Sequence, residues 1–396
     1  MSTDTLEYSP HEPFAGGAIG RQQRPPRVFG SPGRYVQGVG VLERAGNYLS
    51  RLGFRRSAVL LSARSLLAEG GRLVESLRGA GLTVEIAEFN GECSLAEIGL
   101  HAGALADLAE PVDSLVAVGG GKVVDAGRAI AHRLDVPVAV VPSLASNDAP
   151  CAAVSVIYTP EGVTADVEIY DQNPALVLVD TAVIAEADER YLVAGMGDAM
   201  ATWYEARACA SCDQGVNVFG GTPTLAGTAL AQLCADTIYA DGVAALQAVR
   251  ESSVNEALER VVEANTLLSG LGYESGGLAI AHAVAQGYTV IDHVHRKFLH
   301  GEMVAMGALA QLMLESCRAE AERAARFFLE VGLPVHLAQL DLSAGNEAEL
   351  QEVVAAAMAF PFINNMPFEV TSQALSDALL AADRLGRDLA AGTSGS

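Results

Sequence analysis

The chain has 396 residues, of which 50% are hydrophobic and 18% are charged, and its formal net charge is −23. This length allows two domains with separate cores, and the acidic excess argues against a nucleic-acid partner, because phosphate binding needs a basic face. No apolar run reaches the roughly 18 residues of a membrane helix. The N-terminal residues also lack the basic and apolar regions of a secretory signal. We therefore expect a compact protein in the cytoplasm.

The first part of the chain has the pattern of an α/β domain. Residues 1–27 show no hydrophobic period, which predicts a flexible extension. From Arg34 onward, amphipathic helical stretches alternate with the short apolar runs AVLLS, LTVEIAEF and DSLVAVGG. Such alternation is typical of parallel strands joined by crossover helices. It predicts a parallel, Rossmann-like sheet.

A glycine-rich turn follows the third of these strands. Gly119, Gly120 and Gly121 end the strand, and Lys122 opens a helical stretch. Glycines at such a junction let the backbone approach a pyrophosphate and offer N–H groups to it. The segment is neither a P-loop nor a GxGxxG fingerprint. Phosphate binding and a simple tight turn are therefore both open interpretations of this motif.

The next strand, VPVAVV, delivers polar residues to the edge of the sheet where α/β proteins bind ligands. These residues are Ser143, Ser146, Asn147 and Asp148. Asp148 is interpreted either as a ligand-binding carboxylate or as a turn former ahead of Pro150. Downstream, AAVSVIYT and TADVEI flank the turn PEG and predict a β-hairpin.

After Asp180 the pattern becomes helical and little strand signal remains. The boundary is predicted near residue 185. The resulting domain organisation is a flexible extension over 1–27, a nucleotide-binding α/β domain over 28–185, and an all-helical metal- and substrate-binding domain over 186–396.

Four of the eight histidines lie between residues 274 and 307, in an apolar, small-residue sequence. A buried imidazole must form hydrogen bonds or ligate something. We interpret His282 and His300 as ligands of a catalytic metal, with Asp198 of GMGDAMATWYEA as the third, because three protein ligands leave one position open. His293 and His295 could compete with His300. The alternative is that these histidines are satisfied core or solvent-facing residues.

Several separated blocks resemble the glycerol dehydrogenases of the iron-containing alcohol dehydrogenase superfamily. The resemblance runs in register from about residue 28 to about residue 390. It includes the blocks PGRYVQG, FNGECSLAEI, VGGGKVVDAGRAIAH, ASNDAPCAAVSVIYT, GMGDAMATWYEARA, ALERVVEANTLLSG, ESGGLAIAHAV, HGEMVAMGALAQL, GLPVHLAQLD and NNMP.

The resemblance implies a fold and a set of site residues. The fold is of the dehydroquinate synthase-like, glycerol dehydrogenase-like type, with an N-terminal α/β domain and a helical C-terminal domain. The implied metal ligands are Asp198, His282 and His300, and Asp148 holds the substrate hydroxyls. The implied cofactor-binding residues are Gly120, Gly121, Lys122, Asp125, Ser143, Ser146, Val154 and Tyr158.

The resemblance also implies an activity. We expect oxidation of glycerol, or a close 1,2-diol or polyol, to the ketone (dihydroxyacetone for glycerol), with hydride transfer from a metal-bound alkoxide to NAD or NADP. Zinc suits this step because it is a Lewis acid without redox chemistry, and Fe²⁺ also fits two histidines and a carboxylate. Members of the superfamily usually assemble as homo-oligomers, so the same is expected here.

Three positions depart from the family pattern. Where the family commonly places an acidic residue against the adenosine ribose, the chain has Ser62, Ala63 and Arg64. Loss of the acid removes repulsion of a 2′-phosphate, and Arg64 could pair with one, which favours NADP. The alternative is that Arg64 points to solvent and NAD binds less tightly. Ala152 replaces a frequent Ser, and Asn147 replaces a frequent Thr.

Two other functions compete with this interpretation. The same fold and metal site could act on another alcohol or a phosphorylated polyol, which would require further Arg or Lys near the metal. Arg207, Arg296 and Lys297 are the candidate cations near the three ligands in sequence, and they support a phosphate site poorly. A non-catalytic NAD(P)-binding descendant is the second alternative, although a decayed site would be expected to have lost a ligand.

Overall fold

The computed structural model describes residues 24–393. Most of the predicted flexible extension, 1–23, lies outside the described residues. Its last residues are held by hydrogen bonds: the Thr222 hydroxyl donates to the carbonyl of Pro25 at 2.6 Å, and Arg27 donates to the carbonyl of Pro223 at 2.5 Å.

The strands form one parallel sheet and one hairpin, which confirms the predicted fold class. The strands are β1 (Tyr35–Gly38), β2 (Arg56–Ser62), β3 (Thr83–Phe89), β4 (Ser114–Gly119), β5 (Val138–Pro142), β6 (Val154–Tyr158), β7 (Thr164–Ile169) and β8 (Leu176–Asp180). Six strands pair in the order β1-β8-β5-β4-β2-β3, all parallel. The other two, β6 and β7, pair antiparallel as predicted from the PEG turn.

Burial explains why the central strands are almost continuously apolar. Every residue of β4, β5 and β8 is buried, as expected for a parallel sheet covered by helices on both faces. Gly127, in the helix that follows β4, allows that helix to pack closely on the strand. A Cβ at that position would lie 2.3 Å from the Cβ of Ala117 on β4.

Most of the other regular elements in the described chain are α-helices. They are α1 (Ala45–Arg51), α2 (Ala63–Ser65), α3 (Gly71–Gly79), α4 (Leu95–Ala106), α5 (Gly121–Leu134), α6 (Thr181–Ala185), α7 (Glu189–Ser211), α8 (Leu225–Arg250), α9 (Glu256–Glu263), α10 (Ser269–Gly276), α11 (Ile280–Tyr288), α12 (Asp292–Lys297), α13 (His300–Leu314), α14 (Arg318–Val331), α15 (Glu347–Met358) and α16 (Ser372–Thr393). Single π-helical turns occur at Leu66–Gly70 and Ala264–Leu268. None of the helices in the described part of the chain has the length and hydropathy of a membrane span.

The structure changes from mixed to helical after Asp180, close to the predicted boundary at residue 185. By internal contacts, the chain forms two compact units that are discontinuous in sequence. One unit contains 30–199 and 236–270. The other contains 24–29, 200–235 and 271–393 in the described part. The three-part domain assignment stays a prediction.

The strand order contains a topological switch point. The chain passes from β2 to its neighbour β3 on one side, and then returns to β4 on the other side of β2. In parallel α/β sheets, ligands bind beyond the carboxyl ends of the strands at such a point. The carboxyl ends of β2 and β4 are Ser62 and Gly119. The residues that follow them are therefore candidates for a nucleotide site.

Candidate metal centre and active site

Three side chains that the sequence marks as metal ligands lie together. Asp198 is carried by α7, His282 by the first turn of α11, and His300 begins α13. Each offers one ligand atom, and these atoms all lie within 4.8 Å of one another. No other set of three or more His, Cys, Asp or Glu side chains within residues 24–393 meets the same distance criterion.

The donor set fits a catalytic metal ion. Two imidazoles and one carboxylate make three protein ligands, which leave a coordination position open for a substrate. Asp198 is fully buried and His282 is 9% exposed, whereas His300 is exposed. The solvent side of the cluster is therefore at His300. Asp198 and His282 are held by the surrounding protein.

The His282 ring is oriented by a residue that the sequence did not mark, Glu205. One carboxylate oxygen of Glu205, Oε2, lies 2.5 Å from His282 Nδ1. Its other oxygen, Oε1, accepts the backbone N–H groups of Ala279 and His282, both at 2.9 Å. Glu205 is fully buried. This contact engages Nδ1, so Nε2 is the candidate ligand atom of the ring.

Asp148 contacts Asp198, one of the three predicted metal ligands. Its backbone N–H donates to Oδ2 of Asp198 at 3.1 Å, and its own Oδ2 accepts the hydroxyl of Ser269 at 3.0 Å. Asp148 is 7% exposed and Ser269 is fully buried. The carboxylate that was predicted to hold substrate hydroxyls is therefore fixed in position beside the predicted metal site.

Buried polar groups hold the segment that carries Asp148. The Asn265 amide donates to the carbonyls of Ala145 at 3.0 Å and Leu192 at 3.3 Å. Gly195 leaves room for the Ala145 carbonyl, because a Cβ at position 195 would lie 2.0 Å from its oxygen. Asn265 is part of a π-helical turn, a feature that is frequent at functional sites.

The glycine turn after β4 packs against the same segment. Gly119 has φ +153°, and a Cβ there would approach Val123 to 3.0 Å. A Cβ on Gly121 would lie 2.9 Å from the side-chain nitrogen of Asn147. Gly120 caps α5, a helix of 14 residues. The turn thus leaves room above a helix N-terminus, the arrangement that binds anions.

Two predicted cofactor residues on α5 form ion pairs within the protein. Lys122 Nζ lies 2.5 Å from Glu92 and 6.0 Å from the centre of the Tyr158 ring. Asp125 accepts a hydrogen bond from the buried Arg128 at 2.5 Å. Burial raises the pKa of Asp125 to about 6, although the Arg128 charge opposes the shift. The Asp125 carboxylate therefore contacts Arg128.

The remaining predicted cofactor residues lie along the β5 loop and the hairpin. Ser143 is buried, and its N–H donates to the carbonyl of Gly119 at 3.0 Å. Ser146, Val154 and Tyr158 are half-buried, and the latter two begin and end β6. Burial raises the pKa of the Tyr158 hydroxyl well above its usual range.

Arg64 lies just beyond the carboxyl end of β2. The hydroxyl of Ser62 accepts the N–H of Ser65 at 3.3 Å and starts a helix there. Arg64 is exposed on its first turn. Burial raises the pKa of the nearby Glu69, and the positive charge of Arg64 opposes this shift.

Comparisons with known proteins agree with this architecture. A family model described as iron-containing alcohol dehydrogenase matches residues 32–181. A glycerol dehydrogenase from Escherichia coli O6:H1 is 46% identical over 364 residues, which are 91% of this chain and 98% of that protein. The chain belongs to the iron-containing alcohol dehydrogenase family. As a member of this family it is an oxidoreductase of the alcohol dehydrogenase type.

Three further proteins match this chain over a similar length. A glycerol dehydrogenase from Thermotoga maritima is 45% identical, covering 90% of this chain and 96% of that protein. The crystal structure of the glycerol dehydrogenase from Schizosaccharomyces pombe is 35% identical with a TM-score of 0.87, covering 93% of each chain. That of a probable glycerol dehydrogenase from Sinorhizobium meliloti 1021 is 39% identical with a TM-score of 0.85, covering 91% of this chain and 99% of that chain.

The other two histidines of the segment 274–307, His293 and His295, lie outside the cluster of metal-ligand candidates. His293 Nε2 lies 3.2 Å from the carbonyl of Asp341. Sequence reasoning did not identify Glu205 and Ser269. The available signal for Glu205 was its position seven residues after Asp198, which is two helical turns along the same face.

Proposed function

We propose that this protein is a metal-dependent dehydrogenase that oxidises glycerol, or a close 1,2-diol, to the corresponding ketone with NAD or NADP as hydride acceptor. The observation that carries the proposal is the convergence of Asp198, His282 and His300 beside Asp148. The similarity to glycerol dehydrogenases over nine-tenths of the chain supports glycerol as the substrate.

The proposed metal ligands are Asp198, His282 and His300. When bound there, Zn²⁺ or Fe²⁺ supplies a Lewis acid that stabilises negative charge on the oxygen of an alcohol. Glu205 holds the His282 ring and Asp148 holds Asp198, so the ligand atoms are oriented before substrate arrives. We propose zinc, because the reaction needs no metal redox change. Fe²⁺ is the alternative.

Asp148 is proposed to bind the substrate hydroxyls. An ionised carboxylate is an acceptor only, and Ser269 fixes its orientation. A polyol hydroxyl that donates to Asp148 is thereby held next to the metal ligands. Binding two hydroxyls of one substrate at two fixed points restricts its orientation, which brings the carbon that loses hydride into register.

The dinucleotide is proposed to bind at the switch point between β2 and β4. The N–H groups at the start of α5, together with Lys122, suit a pyrophosphate. This role requires Lys122 to exchange its contact with Glu92 for a phosphate oxygen. The proposed residues of this site are Gly120, Gly121, Lys122, Asp125, Ser143, Ser146, Val154 and Tyr158, of which Asp125 acts through its contact with Arg128.

We further propose that NADP is accepted beside NAD. The chain has no acidic residue at positions 62–64, and the exposed Arg64 follows the carboxyl end of β2. An acid there would repel a 2′-phosphate, whereas Arg64 offers it a charge-assisted hydrogen bond.

A phosphorylated substrate is less well supported. Three cations that lie near the ligands in sequence each contact a carboxylate. Arg207 pairs with Glu315 and Glu320 at 2.8 and 2.7 Å. Lys297 pairs with Asp341 and Arg296 pairs with Asp292. A phosphate would have to displace these partners.

A homo-oligomeric assembly and a cytoplasmic location also stay predictions.

The test is the initial rate of nicotinamide reduction with glycerol, measured with NAD and with NADP, before and after chelation. The proposal predicts activity that is lost with chelator and restored by Zn²⁺. Restoration by Fe²⁺ alone would reassign the metal. If the zinc-loaded protein oxidises another alcohol but not glycerol, the proposed substrate is wrong and the proposed mechanism still holds.

A further inference from the structure

We infer that Glu205 is a positioning residue that determines which nitrogen of His282 faces the metal. This inference rests on the metal site of the proposed function. The carboxylate accepts three hydrogen bonds within the same protein unit: from His282 Nδ1 at 2.5 Å, and from the backbone N–H groups of Ala279 and His282 at 2.9 Å each. Glu205 is fully buried.

The donor pattern assigns the tautomer of His282. The two backbone N–H groups can only donate, so Oε1 of Glu205 is an acceptor, and Oε2 is the oxygen that faces Nδ1 of His282. An ionised carboxylate is an acceptor only, so with Glu205 ionised this short contact requires a proton on Nδ1. A neutral imidazole with its proton on Nδ1 has its lone pair on Nε2, which is the form that ligates metals. Glu205 thus presents Nε2 of His282 as the ligand atom.

Helix α7 links this positioning residue to the first ligand. Asp198 and Glu205 are seven residues apart on α7, which places both on one face of the helix two turns apart. Helix α7 therefore carries both a proposed metal ligand and the group that orients another.

A purely structural role must be separated from positioning, because Glu205 also caps α11. Gln311 provides the matched comparison. Its side-chain oxygen accepts the N–H groups of Ile280 and Ala281, both at 3.1 Å, at the same helix end. Gln311 is also fully buried. It shares the capping role of Glu205. Its amide nitrogen donates to the carbonyl of Tyr204 at 3.0 Å and to Glu315 at 2.9 Å, and none of these four bonds involves the His282 ring.

The experiment compares Glu205→Gln and Gln311→Met with the wild-type protein. Zinc affinity is measured by competition with a chromogenic chelator, and the melting temperature of each metal-free protein is recorded. A glutamine at 205 can still accept the backbone N–H groups, but its amide donates to Nδ1 and forces the proton onto Nε2. We expect Glu205→Gln to weaken zinc binding by about 10- to 100-fold.

The control separates the two roles. Gln311→Met is expected to lower the melting temperature while keeping zinc affinity within about threefold of wild type, because the hydrogen bonds that it removes, to the backbone of α11, to Tyr204 and to Glu315, do not involve the His282 ring. Wild-type zinc affinity in Glu205→Gln would overturn the inference. Equal losses of affinity in both variants would overturn it too. Wild-type protein that binds no zinc would instead contradict the proposed function.

A second measurement applies even if Glu205→Gln does not fold. Nitrogen-15 spectra of histidine-labelled, zinc-loaded wild-type protein report which nitrogen of each ring carries the proton, and His282→Gln assigns the signals. The inference predicts a protonated Nδ1 and a metal-bound Nε2 for His282. A protonated Nε2 with Nδ1 on the metal would overturn it.

Discussion

The backbone N–H of Asp148 donates a hydrogen bond to the carboxylate of Asp198 at 3.1 Å. This bond joins the residue proposed to bind substrate hydroxyls to a proposed metal ligand. Both groups are at least nine-tenths buried, where a hydrogen bond to a charged group is stronger than in water. A shift of the loop after β5 would therefore be expected to disturb metal and substrate binding together.

Ser269→Ala should weaken substrate binding while leaving the metal in place. The change removes the hydroxyl that orients Asp148, and a hydrogen bond to a charged group contributes about 1.5–3 kcal/mol. We expect kcat/KM for glycerol to fall at least tenfold, mainly through KM, with unchanged zinc content. Ser57→Ala is the matched control, since Ser57 is also fully buried, lies near the amino end of β2 and bonds through its hydroxyl to Ser114 at the start of β4. An unchanged KM in Ser269→Ala would contradict the role.

Lys122→Ala should raise the KM for both dinucleotides about tenfold, because it removes a charge-assisted contact to the pyrophosphate that both share. The ratio of NAD to NADP efficiency should stay constant. Lys297→Ala serves as the comparison, since Lys297 is the only other lysine of the chain and pairs with Asp341. Steady-state kinetics at saturating glycerol measure both variants. If KM rises for neither cofactor, Lys122 does not contact the pyrophosphate.

Arg64→Ala should discriminate between the cofactors. Removal of the guanidinium should lower kcat/KM for NADP about tenfold or more, because a charged hydrogen bond to the 2′-phosphate is lost. The value for NAD should change less than about twofold. Arg72→Ala on α3, where Arg72 pairs with Glu43, controls for the general loss of positive charge. Equal effects on both cofactors would mean that Arg64 only faces solvent.

Asp125→Asn should destabilise the protein strongly. The substitution leaves the buried Arg128 without its carboxylate partner, and breaking a buried pair in this way costs about 3–5 kcal/mol. Equilibrium urea unfolding measures the loss. Glu189→Gln breaks the exposed pair with Arg250 and should cost less than about 1 kcal/mol. Similar losses in the two variants would show that the Asp125 pair is not a buried stabilising contact.

Local patterns predicted much of the sheet. The apolar runs AVLLS, VAVGG and VPVAVV correspond to β2, β4 and β5, because strands buried on both faces must be continuously hydrophobic. The sequence did not specify where β1 lies. This strand has four residues and is placed by pairing with β8, about 140 residues later in the chain. Such non-local pairings, and the strand order they create, carry no local signal.

Some residues of the candidate site could likewise be predicted from the sequence and others could not. Asp198, His282 and His300 were identified because histidines are unusual in an apolar helix and because the blocks around them resemble a known family. Glu205 and Ser269 were not, since a glutamate or serine in a helix is usually solvated. Only the fold shows that both are fully buried and contact site residues.

The most direct test of the account is X-ray absorption fine structure at the metal edge of the zinc-loaded protein. The account predicts nitrogen and oxygen neighbours only, at about 2.0–2.2 Å, with the scattering of two imidazoles. Asp198→Asn and His300→Gln should each reduce the bound metal. A sulfur neighbour at about 2.3 Å, or protein that retains no metal after loading, would contradict the assignment of Asp198, His282 and His300 as the metal site.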